Sequence, residues 1–429
     1  LFKALVSAFR TPDLRRKLLI TILIMVIYRF GTYVPAPYVS YKNVEACLSQ
    51  QGTADLLAMM NIFAGGGLLK LSVFALGIMP YITSSIIVQL MRVVIPRFEE
   101  LHKEGQTGQN KLTEYTRYLT VFLAIVQSSV FASVAASGQL FVGCQLPVVP
   151  GSTPFRLLII ILAMTAGTTL VMWLAEVITE RGIGNGMSLL IFTGIAANFP
   201  ALLGQVYQGN GGVTWMVLVL AMFLAITAVV VYVESCQRRI PVQYAKRVIG
   251  RRTYGGTSTY IPIKINMANV IPVIFASSIL SLPQMIAQFG NPNSTWVAWV
   301  HNNFTYQSFW YIFTYVVLII FFSFFYTSIT FNPEEISDNM KRYGGFIPGI
   351  RAGAPTADYL RYVVRRINWV GAIYLAIVAL IPQIVFARMG VQGAAFGGTS
   401  IIILVGVGLQ TVKDINAQLQ QRHYEGFLR

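Results

Sequence analysis

The chain alternates long apolar runs with short polar connections. A bilayer core is about 30 Å thick, so a spanning helix needs about 20 mostly apolar residues. Ten runs approach that length: 18–34, 71–94, 117–136, 156–178, 187–203, 213–233, 269–289, 306–331, 367–386 and 399–412. They predict an all-α polytopic membrane protein of ten transmembrane helices, and none of the connections reads as a soluble domain. The run after Arg15-Arg16-Lys17 is too long for a cleavable signal peptide, and no A-x-A site follows it.

Charge placement sets the orientation. The tail before the first run carries Lys3, Arg10, Arg15, Arg16 and Lys17, and the connections after runs two, six and eight are equally basic. The opposite-side connections carry only Lys42, Lys70, Arg156 and Arg388. The positive-inside rule then puts both termini in the cytoplasm. Composition fits, with 55% hydrophobic and only 11% charged residues, far too few charges for the surface of a soluble protein of this size.

Two features break the run of plain spans. Residues 53–67, TADLLAMMNIFAGGG, hold an amphipathic stretch at 55–63 that is too short to cross and ends on three glycines. It reads as a short helix re-entering from the external side, or as one lying in the interface. The second feature is a repeat. IMPYITSSI at 78–86 matches IPVIFASS at 271–278 with Pro80 laid on Pro272, and GMSLLI at 186–191 matches GTSIII at 398–403. Spans two and five therefore echo seven and ten. Five spans per half is an odd number, so the halves, 1–205 and 206–429, are expected to sit inverted about a central pore. Pro80, Pro272 and Pro382 are expected to kink their spans.

The missing chemistry narrows the function. There is no GxxxxGK[ST] and no HExxH, and His102, His301 and His423 lie in connections or the tail. Neither P-loop hydrolysis nor a metal or Ser–His protease is supported, so no cofactor, metal or catalytic residue is expected. Glu176 and Glu234 sit at span ends and no carboxylate lies at mid-membrane depth, which weakens an ion-coupled carrier. A passive channel, a carrier and a scaffold or insertase remain as classes. Cys47 and Cys144 both fall on the external side, where oxidation is possible, and could pair; Cys236 is cytoplasmic.

Several stretches resemble the SecY family, the channel subunits of bacterial Sec protein translocases. They include FALGIMPYITSSIIVQL at 74–90, PRFEELHKEGQTGQ at 96–109, TERGIGNGMSLLIF at 179–192, QRRIPVQYAKR at 237–247, FNPEEISDNMK at 331–341, FIPGIRAG at 346–353 and FGGTSIIILVGV at 396–407. The resemblance implies an hourglass pore in the bacterial plasma membrane that passes unfolded polypeptide and releases hydrophobic segments sideways into lipid. It implies a passive channel, driven by partners rather than by its own catalysis. The pore ring maps onto Ile78, Ile82, Met187, Ile191, Ile274 and Ile403. The plug maps onto Asp55, Leu56, Leu57, Met59, Met60, Ile62 and Phe63 within 53–67. Thr83, Gln127, Ser277 and Ser278 resemble the polar cluster of a lateral gate, whose weak interhelical hydrogen bonds would form a seam, though packing bonds would look the same. Within the connections 234–268 and 331–366, Arg238, Arg239, Lys246, Arg247, Arg251, Arg252 and Arg351 resemble docking sites. The partners implied are SecE- and SecG-like small subunits, the SecA motor ATPase, the ribosome through its RNA phosphates, signal peptides and nascent chains, and anionic lipids.

Overall fold

The computed structural model describes residues 9, 11–50, 61, 64–136, 138, 146–151, 153–208, 212–244, 247–249, 252–254, 258–289, 295–303, 308–389 and 398–425. Each apolar run holds a helix: α1 (Pro12–Gly31), α3 (Met79–Val94), α5 (Gln106–Ala136), α6 (Pro154–Arg181), α7 (Gly186–Gln208), α8 (Gly212–Ser235), α9 (Ile271–Phe289), α11 (Phe309–Thr330), α13 (Ala354–Met389) and α14 (Gly398–Glu425). Short helices α2 (Tyr41–Gln50), α4 (Pro96–Lys103), α10 (Thr295–Asn303) and α12 (Pro333–Arg342) lie in the connections. By length and apolarity alone, α5, α6, α8, α11, α13 and α14 can cross a bilayer. On α8 the side chains of Val213, Val217, Leu218, Leu224 and Val229 are exposed, a surface suited to lipid rather than to water.

The second span begins later than its hydropathy suggests. Residues 71–78 form turns, and α3 starts only at Met79. The segment is nonetheless buried, at Leu71, Ser72, Phe74, Ala75 and Leu76. Irregular backbone survives there because its polar groups are paired: Ala36 N–H donates to the Leu71 carbonyl, and Val73 N–H donates to that of Val34. At 16 residues α3 is roughly 24 Å long, shorter than the bilayer core, and the buried turns make up the difference.

The basic connections also depart from expectation, for they are not featureless. Strand β1 (Gln237–Tyr244) pairs antiparallel with β4 (Ser258–Lys264) on one side and with β5 (Gly345–Phe346) on the other. A separate ribbon joins β2 (Arg247–Ile249) to β3 (Arg252–Tyr254). Along β1, Ile240 and Val242 point inward between exposed neighbours. They join Ile263, Met340, Ile347, Leu360, Val363 and Val364 in a core separate from the membrane core. The two large connections are therefore one folded unit, and the all-α description holds for the membrane part only. Helix α13, 36 residues and about 54 Å long, carries Leu360 and Val363 into that unit and continues through the membrane. Arg361, Arg365 and Arg366 consequently sit on a helix, not in a loop.

Candidate functional site

Helices α3 and α9 begin with the same backbone device. Gly77 (φ +55°) and Asn269 (φ +51°) are both left-handed, a conformation open to glycine and tolerated by asparagine. Ahead of α3, Met79 N–H donates to the Leu76 carbonyl, and Tyr81 and Ile82 donate to that of Ile78. Ahead of α9, Ile271 donates to Ala268, and Val273 and Ile274 donate to Val270. This is the register that lays Pro80 on Pro272, so the sequence repeat is also a repeat of conformation. Both prolines fall in a first helical turn, where a missing N–H costs nothing. They start helices rather than kink them; Pro382 does lie inside α13.

Repeat mates also meet in space, since α3 packs on α9 and α7 packs on α14. Ile78, Ile82, Ile191, Ile274 and Ile403 are buried together in the membrane core, with Met187 partly buried against them. Helices α7 and α9, α3 up to Arg92 and α14 up to Lys413 carry no Asp, Glu, Lys or Arg. An aliphatic collar offers an ion nothing in place of its hydration shell, so a pore so lined is dry and non-conducting without a chemical filter. Val270, the repeat mate of Ile78, is buried in the same cluster and was missed by sequence reading. The repeat alignment carried the signal for it. Its side chain fills the notch at Gly406, where a built Cβ would lie 2.3 Å from Val270 Cγ2.

Thr83, Gln127, Ser277 and Ser278 are all buried, but the expected bonds across a seam are not what the first and third make. Thr83 Oγ1 donates to the Met79 carbonyl of its own helix at 3.0 Å, and Ser277 Oγ donates to Ile274 at 2.9 Å. Hydroxyls on helices commonly satisfy themselves this way. Between α9 and α11 the contact is aromatic, with Phe275 edge-on to Phe322 at 5.6 Å and to Tyr326 at 6.5 Å.

The plug residues Asp55, Leu56, Leu57, Met59, Met60, Ile62 and Phe63 lie outside the described residues. The turn that follows them is described. Gly66 N–H donates to the Asn61 carbonyl, and Asn61 Oδ1 accepts from Leu69 N–H. Arg29, inside the first span and absent from the census of external cations, donates to the Gly65 carbonyl and to Tyr33 Oη. A cation within an apolar run was the available signal.

On the folded unit built from the two large connections Arg238, Arg239 and Arg351 are exposed, and Arg239 stacks on Tyr260 at 4.8 Å. Arg247 and Arg252 occupy the β2–β3 ribbon, whereas Lys246 and Arg251 lie outside the described residues. Cys236 is a free thiol. Cys47 is buried and disulfide-bonded; Cys144 lies outside the described residues. Among the described residues no His, Cys, Asp and Glu cluster could hold a metal.

The family model described as SecY matches residues 72–412. The protein translocase subunit SecY of Streptomyces galbus is 57% identical over 434 residues, 99% of each chain. That of Mycobacterium tuberculosis (strain ATCC 25618 / H37Rv) is 53% identical over 443 residues, the full length of both. Among solved structures, a protein-conducting channel superposes with a TM-score of 0.65 at 18% identity, covering 94% of this chain and 92% of that one. Sec61 in a canine ribosome–channel complex superposes at 0.60 with 19% identity, covering 94% and 92%.

Proposed function

This chain belongs to the SecY family of protein translocase subunits and is a protein-conducting channel rather than an enzyme, and on that premise we propose how its parts divide the work. Ile78, Ile82, Met187, Ile191, Ile274 and Ile403 form the seal, set at the junction of two inverted halves, 1–205 and 206–429. Segment 53–67 acts as the plug over the external vestibule. The seam between α3 and α5 on one side and α9 and α11 on the other is the lateral gate. Because Thr83 and Ser277 spend their donors at home, apolar and aromatic packing holds that seam. An apolar signal sequence can replace such packing with its own.

The observation that carries this reading is the burial of five aliphatic ring residues in one charge-free cluster where both pairs of repeat mates touch. In planar bilayers, the translocase with Ile82→Gly and Ile274→Gly is expected to leak ions above the parent. A parental baseline would sink the seal.

The exposed Arg238, Arg239 and Arg351 suit an acidic or phosphate-bearing partner. We assign this face to the ribosome and the SecA-type motor, and the membrane flanks to SecE- and SecG-like subunits and anionic lipid. Both termini are cytoplasmic, in a bacterial plasma membrane. The bonded Cys47 is assigned Cys144 as its partner, which closes the external loops. Mass spectrometry of non-reduced peptides is expected to show the linked pair; two free thiols would remove the assignment.

A further inference from the structure

The root of the β1–β4 hairpin is tied to the start of the pore helix through one buried side chain. The hairpin closes where Ile265 N–H donates to the Cys236 carbonyl, next to the register pair Gln237 and Lys264. Immediately inside that closure lies Asn266, 3% exposed. Its Nδ2 donates to Glu234 Oε1 of α8 at 2.7 Å and also to the Asn269 carbonyl at 2.9 Å. Asn269 is the left-handed residue that sets the direction of α9. From α14, Lys413 Nζ reaches the Glu234 carbonyl at 3.1 Å. On the far side Gly371 of α13 lies so close that a built Cβ would meet the Ile265 carbonyl at 2.5 Å. The root is thus wedged between α8, α13 and α14, and the Asn266 amide links it along the chain into α9.

We propose that Asn266 is a positioning residue that carries displacement of the cytoplasmic hairpin into the Asn269 turn, and so into the ring residue Ile274 and the gate residue Ser277. A buried amide with two acceptors cannot follow the hairpin without pulling on one of them, because leaving a buried acceptor unpaired is costly. Glu234 and Lys413 hold the fixed side; the Asn269 turn is the side that yields. In its functional setting this rests on the docking role assigned to the hairpin face.

The test reads gate width with paired spin labels on α3 and α11 in the reconstituted translocase. The hairpin is loaded in two ways: with ribosomes, and with an antibody fragment selected against residues 237–264, which needs no docking assumption. In the parent and in Glu234→Gln, which keeps both acceptors of Asn266, antibody loading is expected to shift the distance distribution. In Asn266→Asp, which has no donor, most of the shift is expected to disappear while antibody affinity is unchanged. The double variant Glu234→Gln with Asn266→Asp restores the link to α8 with donor and acceptor exchanged, but not the link to Asn269. It is expected to regain stability and remain uncoupled. A parental shift in Asn266→Asp or in the double variant, or no antibody-driven shift in the parent, overturns the inference. A shift with the antibody but no binding of ribosomes leaves it standing and overturns the docking assignment instead.

Discussion

Gly406→Ala tests whether the pore depends on the fit between α14 and the start of α9. The added Cβ would lie 2.3 Å from Val270 Cγ2, whereas carbon atoms rest at about 3.5–4.0 Å, so Val270 must retreat by roughly 1.2 Å or more. Rotating the valine offers little relief, because its χ1 is stiff and the residue is buried. The Val270 carbonyl accepts from Val273 and Ile274, so the retreat moves the first turn of α9 and the ring residue with it. Overpacking of this kind typically costs about 1–3 kcal/mol. If that falls mainly on the closed state, the open population rises roughly 5- to 150-fold. Conductance of the reconstituted complex in planar bilayers should rise accordingly, and the midpoint of a heat-and-chromatography melt should fall. Adding Val270→Ala makes room for the new methyl and should return both towards the parent. A sealed, parent-stable Gly406→Ala channel would refute the reasoning, as would a double variant that leaks as much as the single.

Arg351→Glu should depress motor-driven export while leaving membrane abundance and ion leak at parental values; unchanged export counts against the docking role. At the N-terminus of α12, Asn332 Oδ1 accepts from the Glu334 and Glu335 N–H groups. Asn332→Ala should cost about 1 kcal/mol of local stability, seen as faster hydrogen exchange over 333–342 with conductance unchanged. Parental exchange rates would show that the cap contributes nothing.

The spans were legible because the bilayer demands long apolar runs, a demand that hydropathy reads directly. The same reading extended the second span into residues 71–78, because buried turns are as apolar as a helix and only backbone pairing tells them apart. The sheet between the two large connections escaped for a different reason. Ile240 and Val242 alternate for only two periods, with Pro241 between them, and partners such as Met340 and Leu360 come from a connection about a hundred residues away. The ring positions are assigned by resemblance, and the repeat agrees with that assignment by pairing Ile82 with Ile274 and Ile191 with Ile403. The gate hydroxyls are likewise assigned by resemblance, and spacing does not say whether a hydroxyl bonds across a seam or to its own helix. Asn266 looked like any loop asparagine. Its importance comes from where Glu234 and Asn269 bring their oxygens, which spacing does not reveal.

The two left-handed turns look alike, yet glycine occupies one and asparagine the other. At Gly77 a built Cβ would lie 2.9 Å from the Ala64 Cα, whereas Asn269 carries a side chain and its carbonyl accepts from Asn266. The two turns of the repeat are therefore held by different means, a close backbone approach in one and a buried side-chain bond in the other. The α3 turn is fixed by the backbone that packs on it, and the α9 turn by the hairpin root.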